Sequence, residues 1–218
     1  MPTLTTQAIV LRHADYREHD RMLTLLSASE WFALGEYVLF SGKGRATVTS
    51  CQLTESFYPL RTDYDRLKYA TYLLSIAEAA AQPGERAVEL FTLLARSLSR
   101  LCYSAHQPQA VTAAFLLHFA AVSGYRPRLS HCVKCGRRLS DAEIHLMDIE
   151  GGGLICPACA GALSDALPVT PDQAEWMREI LAVGIEKALL PQADAPGPLL
   201  ARYVEARLEK RLSHEGLF

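Results

Sequence analysis

No apolar run in this chain reaches the roughly 20 residues needed to cross a bilayer. The opening Met1-Pro2-Thr3-Leu4 has no basic cluster ahead of an apolar segment, so no secretory leader is expected. Net charge is only −2 over 218 residues. That excludes a surface that is basic throughout, and any hold on nucleic acid must come from local patches. There is no internal repeat and no low-complexity tract. The order G-x₄-G-K-[ST] is missing, so Gly42-Lys43-Gly44 is not a phosphate-cradling P-loop. No G-x-G-x-x-G fingerprint, G-x-S-x-G elbow or H-E-x-x-H pair occurs, and the seven histidines are scattered. The chain is therefore read as a binding protein and not as an enzyme. A nucleic-acid enzyme carrying an accessory metal module is the minority reading; a cleft with paired acids of perturbed pKa would favour it.

What the chain does have is four cysteines in two tight pairs. Cys132, Cys135, Cys156 and Cys159 follow the pattern C-x₂-C-x₂₀-C-x₂-C. Two paired thiolates on either side of a strand-length loop suit a tetrahedral metal, with Zn²⁺ the usual occupant. Gly136 follows the first pair, where a positive φ lets backbone N–H groups turn toward sulfur. Residues 143–148 read as a strand, and Gly151-Gly152-Gly153 turns the chain back through Leu154 and Ile155. This is the layout of a zinc ribbon. All four positions are cysteine, so the site is closed and structural, with no open place for water or substrate. The competing reading, disulfides or a redox pair, lacks the βαβ context of a thioredoxin-like motif. His131 reads as a solvated loop residue. Cys51 and Cys102 are expected to be small buried apolar residues. This cysteine usage fits a reducing cytoplasm.

Half of the residues are apolar, as in an ordinary globular protein. Strand-like segments at 7–12, 32–40 and 47–53, and a segment at 20–26 that suits either a strand or a short helix, predict a small barrel. Trp31, Phe32, Tyr37, Phe40, Phe57 and Tyr58 are read as its core more than as base-stacking platforms. From residue 62 the pattern becomes helical. One helix is capped by Thr62 or Asp65 and broken at Pro83-Gly84. A second spans 85–103 with Val88, Phe91, Leu94, Leu98 and Leu101 on one stripe. A third runs from Pro108 to a C′ glycine at Gly124, carrying Val111, Phe115, Phe119 and Val122. After the ribbon, Thr170-Pro171-Asp172-Gln173 combines a capping box with proline at N1. That helix carries Trp176, Ile180 and Val183. A last helix is expected over 199–214, with Leu200, Tyr203, Val204 and Leu208 on its apolar side. The expected class is α+β: an OB-like β module over 1–61, possibly truncated, then a helical domain over 62–218 with the zinc ribbon inserted at about 128–163.

Candidate phosphate contacts are Arg12, Arg21, Lys43 and Arg45 in the β module, and Arg126, Arg128, Lys134, Arg137 and Arg138 beside the first cysteine pair. The second group contains no acid. Local charge balance is an equal reading, because Zn²⁺ with four thiolates carries −2.

Three stretches together resemble the bacterial RecO family of recombination mediators. One is Gln7-Ala8-Ile9-Val10-Leu11-Arg12 with Glu18-His19-Asp20-Arg21-Met22-Leu23-Thr24-Leu25-Leu26. The next is Leu53-Thr54-Glu55-Ser56-Phe57-Tyr58-Pro59-Leu60-Arg61, leading into Asp65-Arg66-Leu67-Lys68-Tyr69. The third is Gly124-Tyr125-Arg126-Pro127 ahead of the cysteines. The resemblance implies an N-terminal OB-fold and a helical domain with one structural Zn²⁺. It also implies binding to single- and double-stranded DNA, strand annealing, a RecR partner, contact with the tail of the single-stranded-DNA-binding protein SSB, and loading of recombinase. Family members carry further strands between the Lys-Gly turn and the Glu-Ser-Phe segment, whereas here Lys43-Gly44-Arg45 runs almost directly to Leu53. An OB-fold needs five strands, and residues 5–60 supply four. The shortening motivates an alternative, an adaptor of the same pathway with weak DNA affinity.

Overall fold

The computed structural model describes residues 3–16, 20–28, 34–42, 45–81, 87–105, 107–162, 167–185, 195–213 and 216–218. The chain divides into two compact units, 1–103 and 104–218. The first compact unit includes the helices that follow the sheet, up to Tyr103.

In the first unit, β1 (Thr3–Tyr16), β2 (Asp20–Ala28), β3 (Gly35–Gly42) and β4 (Arg45–Leu53) form one antiparallel sheet in the order β2-β1-β3-β4. β1 serves two neighbours. Its first residues, Thr3 to Gln7, pair with β3, and Gln7 to Tyr16 pair with β2. A register shift between Val10 and Arg12 leaves Leu11 as an extra residue. Such a bulge bends and twists a strand, and the sheet curls into a half-barrel. Among the described residues it stays open, with β2 and β4 as its edges. The segment at 20–26, ambiguous by sequence, is a strand because β1 offers it a full antiparallel partner.

Three helices complete the unit: α1 (Tyr58–Thr62), α2 (Tyr64–Ala80) and α3 (Val88–Tyr103). Helices α2 and α3 pack on β1 and β2. Ala8, Ile9, Leu11, Leu26 and Tyr37 are buried from the sheet, with Leu73, Ile76, Phe91, Leu94 and Leu101 from the helices. Only Val88 of the predicted α3 stripe is exposed. α2 is capped by Asp63, not Thr62 or Asp65; its carboxylate accepts from the Arg66 N–H at 3.1 Å. The short α1 was not foreseen. Glu55 sets it up: its carboxylate accepts from the Phe57 N–H and the Tyr103 hydroxyl, each at 2.9 Å. These bonds, the Phe57 N–H first, hold the Glu55 carboxyl below its usual range. They also hold Phe57 at φ 48, a left-handed value, just before Pro59 begins the turn. Tyr58 consequently points to solvent at 63% exposure, and Phe40 and Phe57 are half-buried, so only Tyr37 of the described aromatics meets the core expectation. Trp31 and Phe32 lie outside the described residues.

The second unit is built on α4 (Pro108–Val122), with α5 (Pro171–Val183) and α6 (Gly197–Leu208) packed against it. α4 is buried almost all round from Ala110 to Leu117, not only along the predicted stripe. Gly124 ends it at φ 83. Thr170 and Gln173 form the expected reciprocal capping box at α5. α6 stops at Leu208, earlier than the predicted 214, because Glu209 turns left-handed and closes the helix with a bond to the Glu205 carbonyl. Between α4 and α5 lie β5 (His145–Asp148), β6 (Gly153–Ile155) and β7 (Leu167–Val169), in the order β6-β5-β7. The predicted strand at 143–148 begins two residues later, and β7 is an addition.

Candidate metal centre

The first cysteine pair sits on a loop stitched to β6. The Val133 N–H donates to the Leu154 carbonyl at 3.0 Å, and the Leu154 N–H to the Arg128 carbonyl at 2.9 Å. The Cys132 N–H donates to the Arg137 carbonyl and the Gly136 N–H to the Cys132 carbonyl, closing the knuckle. Gly136 takes φ 74, as the turn requires. Cys156 directly follows β6, and Cys159 lies in a 3₁₀ turn spanning Pro157–Ala162. Gly153 is required by packing: a Cβ there would collide with the Arg128 carbonyl oxygen. The hairpin and the loop thus bring together residues more than twenty positions apart.

The four Sγ atoms lie within 4.8 Å of one another. Cys135 Sγ and Cys156 Sγ are 3.8 Å apart. A tetrahedron with Zn–S near 2.3 Å has sulfur–sulfur edges of about 3.8 Å, so the donor set fits Zn²⁺. Among the described residues this is the one cluster of metal-ligating side chains. Cys132 and Cys156 are buried, Cys159 is half-buried and Cys135 is exposed. Burial opposes ionisation of Cys132, but the backbone N–H groups of Cys135, Cys156 and Lys134 outweigh it and bring the thiol to about 6. Cys159 is pushed up to about 12, first by its hydrogen bond with Cys156 and then by that with Cys135. One sulfur is thus set to ionise first, and a bound metal would supply the drive to deprotonate the others. His131 is exposed and is not part of the cluster.

Two arginines that the sequence reading missed fasten the ribbon. Arg178 of α5 donates to the Leu129 carbonyl at 3.2 Å and to the Asp141 carboxylate at 2.8 Å. Arg207 of α6 lies over the Tyr203 and Tyr125 rings, 4.9 and 5.5 Å from their centroids. Its guanidinium also bonds the Ile149 and Glu150 carbonyls in the β5–β6 turn. The Tyr203 hydroxyl donates to the Tyr125 carbonyl at 2.9 Å. The available signal was spacing: Arg207 follows Leu200 by seven and Tyr203 by four, so it extends the buried stripe of α6. Arg207→Ala is expected to weaken the β5–β6 turn by about 2–4 kcal/mol, from lost charged hydrogen bonds and cation–π contact. Hydrogen exchange should then accelerate at residues 151–154 while metal content stays unchanged. Unaltered exchange there would refute the clasp.

The candidate phosphate contacts fare unevenly. Arg126 donates to the Leu181 carbonyl, and Arg137 pairs with Glu143 at 3.5 Å. Arg128, Lys134 and Arg138 are exposed and have no ion-pair partner among the described residues. Arg12 is exposed and 3.6 Å from Glu78. Arg21 and Arg45 are described as backbone only, and Lys43 lies outside the described residues. Cys51 is exposed and Cys102 half-buried, which corrects the expectation that both are buried. No helix among the described residues is long and apolar enough to cross a membrane.

The chain is an α+β protein whose sequence opens on a curled antiparallel sheet and carries a four-cysteine ribbon inserted between helices. The family description "Recombination protein O C terminal" matches residues 61–215. The chain is 30% identical to the DNA repair protein RecO of Alkaliphilus metalliredigens over 206 residues, covering 84% of this chain and 83% of the relative. It is 31% identical to the RecO of Frankia casuarinae, over 97% and 96% of the two chains, and 27% identical to that of Acetivibrio thermocellus, over 96% and 94%. The chain belongs to the RecO family of DNA repair proteins. The Acetivibrio alignment runs to 240 positions, so at least 22 of them are residues that relative carries and this 218-residue chain lacks.

Proposed function

We propose that this protein is a DNA repair and recombination mediator acting by binding alone. It holds single- and double-stranded DNA, promotes annealing, and helps load recombinase onto SSB-coated strands, together with a RecR-like partner and the SSB tail. Its setting is the bacterial cytoplasm, associated with the nucleoid. What supports the DNA half is that Arg128, Lys134 and Arg138 are exposed and have no ion-pair partner among the described residues, on the loops of a ribbon fastened by Arg178 and Arg207. Rigid cations hold a phosphate backbone without the cost of ordering long loops. One structural Zn²⁺ serves this role. Its four thiolates leave no position for a reacting group, which supports a non-enzymatic reading.

Titration of a fluorescent oligonucleotide across a salt series tests the proposal. Replacing Arg128, Lys134 and Arg138 together by alanine should weaken binding and reduce the slope of log K against log salt by about two to three. Wild-type protein that binds no oligonucleotide at low salt would sink the DNA half. The second reading, an adaptor with weak DNA affinity, is favoured by the at least 22 missing positions. It requires capture of RecR or an SSB tail peptide without oligonucleotide binding.

A further inference from the structure

The outward residues of the ribbon carry one kind of chemistry. Arg128 lies parallel beside Gly153 of β6, and its N–H donates to the Gly152 carbonyl at 3.0 Å. His131 lies antiparallel to Arg138, and the Leu139 N–H donates to the Ser130 carbonyl at 3.0 Å. The first cysteine knuckle therefore closes a small hairpin. Arg128 leads into it, Lys134 stands in its turn and Arg138 lies on its return. Pro127, Leu129 and Leu139 are buried while these three cations are exposed, so the backbone that carries them is anchored. Residues 126–162 hold four acids. Asp141 and Glu143 pair with Arg178 and Arg137, and the Asp148 carboxylate accepts from the Gly151 N–H at 2.8 Å. Among the described residues that leaves Glu150 against three cations with no ion-pair partner.

What the same segment lacks decides which form of nucleic acid it suits. Residues 126–162 contain no Phe, Tyr or Trp, and no Asn or Gln. Proteins hold single strands by stacking their bases on aromatic rings. Asn and Gln are the side chains that read adenine through paired hydrogen bonds. Neither device is present. Tyr125, just ahead of the ribbon, has its ring under Arg207. His131 is the one exposed ring, since His145 is buried. Charge is what remains, and a duplex presents about twice the charge per length of one strand, one per ~1.7 Å of axis against one per ~3.4 Å.

We propose that the ribbon is the duplex-facing part of this protein: Arg128, Lys134 and Arg138 sit on the phosphates of double-stranded DNA and read no base. This rests on the DNA binding proposed above and adds which form of DNA the ribbon takes. Single strands gain little from these cations, and their hold falls to residues outside 126–162.

Full-length protein carrying its metal is titrated against a fluorescent duplex and against one strand of the same sequence, each across a salt series. Arg128→Ala, Lys134→Ala and Arg138→Ala combined should lower the slope of log K against log salt by about two to three for the duplex, and by less than about one for the single strand. Duplexes rich in A·T and in G·C should bind alike. A second variant, Arg128→Lys with Arg138→Lys, keeps the charge and should keep the duplex slope, because counterion release follows charge. Metal analysis accompanies both variants. A single-strand slope that falls as much as the duplex slope would overturn the proposal. A preference between the two duplexes that the alanine variant abolishes, or a duplex slope lost in the lysine variant, would also overturn it, since each marks arginines that read bases. Metal lost from the alanine variant would overturn it too, since the cations would then serve to balance the thiolates. Wild-type protein that binds neither form of DNA at low salt overturns the DNA reading itself, an outcome distinct from the others.

Discussion

Cys156→Ser is expected to abolish tight metal binding and to unfold the ribbon. Cys156 is completely buried, and its N–H also reaches Cys132 Sγ at 3.5 Å. A serine hydroxyl is a poor substitute for thiolate, and water has no route to the vacated position. Structural zinc contributes about 10–16 kcal/mol in small zinc modules, so losing one buried ligand of four removes roughly a quarter of that or more. Met147, Leu154 and Ile155, all buried beside the site, then lose their cover. Metal analysis should fall from one equivalent toward none, and limited proteolysis should open within residues 128–162. Cys135→Ser should be milder, because Cys135 is exposed and water can take its place. Equal loss in the two variants would contradict the burial argument. Acid should act in the same direction as the mutation. Thiolate is the binding form, so protons compete with the metal, and metal content should fall as pH is lowered. A metal content unchanged at pH 4 would refute this.

Phe115→Ala should cost about 3–5 kcal/mol, the range for removing a buried aromatic side chain. Phe115 is completely buried in α4 and stacks on Phe119 with centroids 6.1 Å apart. α5 and α6 both pack on α4, so a cavity there is felt by the whole second unit. Val122→Ala is the control. Sequence spacing set it on the same stripe, yet Val122 is 38% exposed and should lose well under ~1 kcal/mol. Chemical denaturation of both variants measures the contrast. Similar midpoints for the two would show that α4 is not the centre of the unit.

Much of the metal site could be read from spacing because its chemistry is local. Two C-x-x-C turns and a glycine run specify knuckles and a hairpin within a few residues. The turn glycines and the convergence of the four cysteines follow without long-range knowledge. The clasp of Arg178 and Arg207 could not be read in the same way. Each arginine bonds a carbonyl about fifty or more positions away, and only packing decides which carbonyl that is. The exposed cysteine at 51 has a similar cause. Its strand is a good β-former, but whether a helix covers that strand is a property of the assembled unit. Helix α1 and strand β7 escaped because five and three residues are too few for any periodicity to show.

By itself the order of residues determined the four-cysteine cluster, the family, and the helix faces with strong period, since each depends on neighbours within a turn or two. The tertiary structure alone decided where the compact units divide and, among the described residues, which basic side chains stay unpaired and that the sheet is open at β4. Those outcomes depend on which surfaces meet after the chain has turned back on itself, and short-range pattern carries no record of that meeting.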